Sequence, residues 1–157
     1  MSVSGLMRDV RDFLKDLSRD LPDVFPRRPV YRRVARRARL PRPSAADRER
    51  ARGIISARAA HWAALLDAKY NRIAIKGQRS LWGSCSRKGN LNFNWRLAAA
   101  PPETLDYVVV HELCHLREMN HSSRFWAHVA AACPDYKTHR RWLRDNTAAL
   151  MAVSALA

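Results

Sequence analysis

The chain has 157 residues, 47% of them hydrophobic, and a formal net charge of +15 at pH 7. This length predicts one domain with a hydrophobic core and at most an appended arm. Charged residues interrupt the first apolar run, so we expect neither a secretory signal nor a membrane span. Three cysteines without a CxxC pair favour reduced thiols and a cytoplasmic protein. The sequence leaves the oligomeric state open.

Residues 1–43 are predicted to form an arm, followed by a folded domain over residues 44–150. Apolar residues repeat at helical spacing up to Leu21, and Pro22 ends this amphipathic helix. The segment Arg27–Arg42 then carries eight arginines and no acidic residue. Such a segment is expected to bind DNA or another polyanion through counterion release, and a solvated linker is an equal alternative. The arm's helix mixes acids with bases, so a membrane is not an expected partner.

The next predicted element is a helix from Ser44, which forms a partial capping box with Asp47, to about Tyr70. Its expected apolar face consists of Ile54, Ile55, Trp62, Leu65 and Leu66. Strand-like alternation follows in Arg72–Ile75, Leu81–Trp82 and Asn90–Trp95. A turn is predicted at Arg87–Asn90, which joins the last two stretches as a hairpin.

The stretch His111–His115 reads His-Glu-Leu-Cys-His and is the most informative part of the sequence. On an α-helix, His111 and His115 share one face and can hold one Zn²⁺, with each Zn–N distance about 2.0–2.1 Å. Glu112 lies beside the metal edge, where it can act as a general base towards water. Val108–Val110 favour a strand locally, but the spacing of the two histidines predicts a helix. Pro101–Glu103 would form the start of this helix. The pattern predicts a zinc-dependent hydrolytic centre.

A third protein ligand is normally needed in a catalytic zinc site, and His121 is the candidate. In an unbroken helix, His121 would be rotated by about 240° from His115 and would face away from the metal. We therefore expect the helix to break at Asn120, with Ser122 or Ser123 capping a new helix. The alternative third ligand is a glutamate on the following helix, but residues 124–133 contain no carboxylate.

Several separate blocks of the sequence occur in the order and spacing of one known family. They are Trp82–Ser86, Lys88–Asn92, Asn94–Leu97, Ala100–Glu103, Leu105–Leu113, His115–Leu116, Asn120–Ser122, Phe125–Trp126, Pro134–Tyr136 and Arg141–Leu143. Over residues 44–146 the chain thus resembles the YgjP-like metallopeptidases, relatives of the SprT-like zinc proteases. Two positions depart from that family: Leu81 replaces a basic residue, and Cys114 replaces an alanine.

The resemblance implies an α+β, zincin-like domain in which a small antiparallel sheet packs on the metal helix. It implies that His111, His115 and His121 hold zinc and that Glu112 is the general base. The leading hypothesis is therefore a metalloendopeptidase that acts on polypeptides.

Other residues are candidates for handling the substrate. The strand at Trp82, Gly83 and Ser84 would flank the cleft and bind an extended polypeptide. Tyr136 or Arg96 would stabilise the oxyanion, although packing for Tyr136 and an ion pair for Arg96 are the alternatives.

Two other functions are weighed against the peptidase. YgjP-like proteins have been associated with the pyrophosphohydrolysis of UTP, but the chain has no glycine-rich phosphate loop and no carboxylate cluster for Mg²⁺. A DNA-associated binding module with structural zinc would need four ligands and no general base, so Glu112 argues against it.

Overall fold

Four α-helices and one three-stranded sheet make up the part of the chain that the structure, a computed structural model, describes, residues 40–156. The predicted α+β class is confirmed for this part. The amphipathic helix and most of the arginine-rich segment predicted for residues 1–39 lie outside the described residues. Within residues 40–156, none of the helices is both long and apolar enough to cross a membrane.

The elements follow one another along the chain with short connections. The helices are α1 (Ala45–Leu65), α2 (Pro102–Cys114), α3 (Ser123–Ala132) and α4 (Tyr136–Ala152), and the strands are β1 (Arg72–Lys76), β2 (Gly83–Cys85) and β3 (Asn90–Asn94). A 3₁₀ helix, Trp95–Ala99, connects β3 to α2.

Helix α1 begins with the predicted capping box. The Ser44 hydroxyl accepts a hydrogen bond from the Asp47 N–H at 3.0 Å, and the Asp47 carboxylate accepts one from the Ser44 N–H at 3.1 Å. Two orphan N–H groups of the first turn are thereby satisfied. The helix ends at Leu65, five residues before the predicted end at Tyr70.

The predicted apolar face of α1 is only partly correct, since Ile55 is buried, Trp62 and Leu66 are half-buried, and the other two residues are exposed. Ile54 and Leu65 are 40% and 64% exposed, whereas Ile55 is fully buried. The buried side chains recur at every fourth position, namely Asp47, Ala51, Ile55, Ala59 and Ala63. Small alanines let α1 lie close against α2 and the 3₁₀ helix, and a reading weighted towards large side chains misses such a face.

The sheet is mixed rather than purely antiparallel, which corrects the prediction. Its strand order is β1-β3-β2, with β1 parallel to β3 and β2 antiparallel to β3. The β2–β3 hairpin is present as predicted, with Gly89 at a φ of 72° in its turn, but its first strand is Gly83–Cys85 rather than Leu81–Trp82. Strand β3 lies between β1 and β2 and runs in the same direction as β1. Strand β2 is left at one edge.

Helix α2 lies at the centre of the domain and packs against α1, α3, α4 and β2. Ten of its thirteen residues are buried, including the three valines that favour a strand locally. Pro102 occupies the first helical turn, where its missing N–H has no cost. Burial of nearly the whole circumference explains why tertiary packing overrides local strand propensity here.

Candidate metal centre

Helix α2 ends earlier than predicted. Its last residue is Cys114, and His115 caps it with right-handed helical angles, followed by a turn over residues 115–117. The expected left-handed break at Asn120 is wrong, since the only non-glycine residue with positive φ within residues 40–156 is Asp67. The reversal is therefore made by a tight turn directly after the second histidine.

Helix α3 starts at the predicted place. The Ser122 hydroxyl accepts a hydrogen bond from the Phe125 N–H at 3.3 Å, which caps the helix. His121 directly precedes this cap, and its ring therefore turns back towards the end of α2. The short connection thus directs His121 towards His111 and His115, whereas in a straight helix it would face away from them.

The three histidines converge. Their ring centroids are 4.9 Å apart for His111 and His115, 5.0 Å for His111 and His121, and 4.8 Å for His115 and His121. The two Nε2 atoms of His111 and His121 lie 3.0 Å apart, and one ligand atom from each ring lies within 4.8 Å of the others. His111 and His115 are buried, whereas His121 is exposed. The donor set is suited to a metal ion that is open on one side.

The orientation of His115 is fixed by the backbone. Its Nδ1 lies 3.0 Å from the Glu118 carbonyl oxygen, which can only accept, so Nδ1 carries the proton. The lone pair is then on Nε2, as metal ligation requires. Burial lowers the pKa of His115, and burial followed by the neighbouring His115, His121 and Arg140 lowers the pKa of His111 well below its usual value. Both rings are held in the neutral form that binds metals.

Phe125, to which the sequence pattern assigned no role, packs against all three rings of the histidine cluster. Its ring lies 4.5 Å from that of His115 and 4.8 Å from those of His111 and His121. Trp126 stacks on His121 at 5.7 Å. The helical phase of α3 behind its Ser122 cap is the signal that could have found both residues, since it points them at the preceding turn.

Glu112 is buried next to this cluster, with 1% of its surface exposed. Neither carboxylate oxygen has a hydrogen-bond partner among residues 40–156, and burial raises the pKa of Glu112 to about 8. Gly83 of β2 lies against it: a Cβ at this position would be 2.5 Å from Glu112 Oε1. Only glycine leaves room for the carboxylate there. We call His111, His115 and His121 together with Glu112 the histidine centre.

The other predicted substrate-binding residues lie in β2 or just before it. Trp82 is 3% exposed and belongs to the core, and the Ser84 hydroxyl accepts a hydrogen bond from Asn92 Nδ2 at 3.1 Å. Of the three, Gly83 alone has a demonstrated contact with the histidine centre.

The two oxyanion candidates are placed differently. Tyr136 stacks on Trp126 at 5.2 Å, at the side of the histidine centre. Arg96 is 1% exposed, and its guanidinium donates to the carbonyl oxygens of Pro41 at 2.6 Å and Val153 at 3.3 Å. The ion pair considered for Arg96 is replaced by these two carbonyls, and the residue is not brought to the histidine centre.

Arg140 of α4 is a second residue that the sequence reading missed. Its guanidinium lies 5.4 Å from the centre of the Trp126 ring, and its charge contributes to lowering the pKa of His111. Tyr107, one turn before His111, has its ring 6.0 Å away, and burial raises the pKa of its hydroxyl. An arginine and two tyrosines therefore line one side of the centre.

Comparison with known proteins decides the family. The family model described as YgjP-like, metallopeptidase domain, matches residues 29–146. The chain belongs to the YgjP-like metallopeptidase family. The match places it among metal-dependent peptidases, and it extends upstream of Ser44 into the arginine-rich segment.

The fold of this YgjP-like protein is also found in a solved structure. The crystal structure of the metallopeptidase zymogen of Pyrococcus abyssi abylysin aligns with a TM-score of 0.53 and 21% sequence identity. The alignment covers 59% of this chain and 95% of that chain. No curated protein matches the sequence.

Proposed function

We propose that this YgjP-like metallopeptidase is a zinc endopeptidase, in which His111, His115 and His121 bind the metal and Glu112 is the general base. The observation that carries the proposal is the buried Glu112 carboxylate, which has no partner within residues 40–156 and directly follows His111, one of three converging imidazoles. Three imidazoles with one coordination position left open make a catalytic zinc site, whereas a structural site needs four ligands.

Zinc bound by these three histidines would polarise a peptide carbonyl and lower the pKa of a water molecule to roughly 7. Glu112 then accepts a proton from the attacking water and delivers it to the leaving amine. Burial makes its carboxylate a stronger base than an exposed one, and Gly83, which has no Cβ, leaves the space that the carboxylate occupies beside β2. His115 keeps its orientation through the hydrogen bond to the Glu118 carbonyl.

The edge strand β2 is the proposed binding surface for the substrate. Within the described sheet, β2 pairs only with β3, so the backbone groups of its other edge are available to an added strand. Since Gly83 of β2 adjoins Glu112, a polypeptide paired with β2 has its backbone beside the general base. This arrangement favours an extended or unfolded polypeptide over a folded protein.

The test compares the zinc-loaded protein with its Glu112→Gln variant on an unfolded polypeptide. We expect the variant to keep one zinc per chain and to lose about 10²–10⁴-fold in cleavage rate. Glu103→Gln, an exposed acidic residue on the same helix, is the matched control and should cleave normally. Undiminished fragment formation by Glu112→Gln would contradict the assigned role.

UTP and DNA are added to the same experiment as separate arms. Glu112-dependent release of pyrophosphate without peptide fragments would assign the protein to nucleotide hydrolysis instead. DNA that stimulates peptide cleavage at low salt would show that a polyanion-binding surface of this basic chain serves the peptidase.

A further inference from the structure

A second polar feature lies away from the histidine centre, between the start of α1 and the loop that follows β1. It is a cleft of about 360 Å³. Arg42, Arg48 and Arg79 line it, and none of its described lining residues is acidic. We call it the arginine cleft.

Two buried side chains hold the walls of the arginine cleft in place. Arg96 donates to the Pro41 carbonyl oxygen at 2.6 Å, which fixes the segment that carries Arg42. Asn94 Nδ2 donates to the carbonyl oxygens of Gln78 at 2.8 Å and Leu81 at 3.3 Å, on either side of Arg79. Asn94 and Arg96 are 0% and 1% exposed, so both walls are tied to the core.

The positive charge of the arginine cleft is not neutralised within residues 40–156. No ion pair there involves any of its three arginines. The two acids nearest in sequence are used elsewhere: Asp47 accepts hydrogen bonds from Ser44 and from the Leu156 N–H, and Glu49 lies 3.5 Å from Arg52. Three like charges around one cavity repel one another, and a bound anion removes that repulsion.

We propose that the arginine cleft is a binding site for phosphate groups. The planar donors of guanidinium match phosphate oxygens in pairs, and three arginines suit a multiply charged anion better than one carboxylate. Seven further arginines between residues 27 and 39 directly precede Arg42 in the sequence. The phosphates can belong to a nucleic-acid strand or to a free polyphosphate. The proposal goes beyond the peptidase function and does not depend on it.

The test replaces the three arginines together, as Arg42→Gln, Arg48→Gln and Arg79→Gln. All three are exposed, so the fold should be retained, which a thermal melt would verify. The matched control removes the same charge through Lys69→Gln, Arg87→Gln and Lys88→Gln. These exposed residues lie near the start of β1 and β3, about 16 Å along the strands from the cleft end of the sheet.

Pyrophosphate binding is measured by calorimetry, and binding of a single-stranded oligonucleotide by fluorescence anisotropy at several salt concentrations. For the probe that the wild type binds, we expect at least about a tenfold loss of affinity in the cleft variant and little change in the control. For the oligonucleotide, a plot of log K against log salt has a negative slope. Its magnitude should decrease by about two in the cleft variant, since three phosphate contacts are lost.

The two probes distinguish the sources of phosphate. Loss of oligonucleotide binding identifies a nucleic-acid strand, and loss of pyrophosphate binding alone identifies a free polyphosphate. Equal affinities of the wild type and the cleft variant would overturn the proposal, as would failure of the wild type to bind either probe. Equally tight binding of polyglutamate in the cleft would also overturn it, because the site would then not select phosphate.

Discussion

The protein buries polar side chains in two regions that differ in how their hydrogen-bonding groups are satisfied. In the first, Asp47, Asn94 and Arg96, which we call the bracing residues, bind backbone groups at the ends of the described chain and in the loop after β1. In the second, the histidine centre, both oxygens of Glu112 have no partner within residues 40–156.

This difference distinguishes residues that stabilise the fold from residues that are suited to a chemical reaction. Buried polar groups with complete partners hold segments of chain together, whereas a buried carboxylate without partners costs folding free energy. Such a carboxylate, directly after His111 of the histidine centre, is a candidate for a catalytic role. We therefore expect substitutions in the histidine centre to change metal binding and catalysis, and substitutions of the bracing residues to change stability.

The largest effect is expected from His121→Ala. Removal of one of the three imidazoles should weaken zinc binding by at least about 100-fold, because the remaining pair leaves the coordination incomplete. Competition with a chelator measures this change. His128→Ala, on the following helix α3 and outside the cluster, is the control. Unchanged zinc affinity in His121→Ala would remove this residue from the centre.

Gly83→Ala should separate catalysis from metal binding. The added Cβ would lie 2.5 Å from Glu112 Oε1, so the carboxylate must shift. We expect kcat/KM to fall by about 100-fold while zinc content stays at one per chain. Gly53→Ala, where a Cβ meets nothing within 4 Å, should leave activity intact. Full activity in Gly83→Ala would show that the position of Glu112 is not critical.

Arg96→Met tests the other region. It leaves the carbonyl oxygens of Pro41 and Val153 without their donors, which should lower the free energy of unfolding by about 2–4 kcal/mol. Denaturant titration measures the loss, and Arg141→Met, an exposed arginine of α4, is the control. The activity of the folded fraction should remain. A selective loss of kcat would instead return Arg96 to the catalytic machinery.

Asp47→Asn is expected to have the smallest effect, and the effect should depend on pH. The Leu156 N–H and the Ser44 hydroxyl lower the pKa of Asp47 below its ordinary 3.8 in the folded state. The stability that it contributes is therefore present above pH 3.8 and is lost as the pH falls through the folded-state pKa. Melting temperatures of the two proteins should differ at neutral pH and converge in acid. A constant difference would contradict this linkage.

Local chemistry explains what could be predicted from the sequence. The spacing of His111 and His115, the capping box at Ser44 and the cap at Ser122 each depend on residues within one helical turn. His121 is predicted as the third ligand because a helix that ends before it can turn its ring back, and the tight turn after His115 shows how His121 reaches the cluster.

Long-range packing explains what could not be predicted. The direction of β3 depends on where the β2–β3 hairpin inserts beside β1, and no local pattern encodes this. The buried face of α1 has Ile55 as its only large apolar residue, so the hydrophobic pattern that predicts such a face is weak. The carbonyl partners of Arg96 are 55 and 57 residues away in sequence, and Gly83 meets Glu112 only because β2 packs on α2.

The most direct test of the central claim is X-ray absorption at the zinc edge, on protein loaded with one zinc per chain. We predict three imidazole nitrogens at about 2.0–2.1 Å and one further light ligand from solvent. A sulfur ligand at about 2.3 Å, which would come from Cys85, Cys114 or Cys133, would contradict the three-histidine centre.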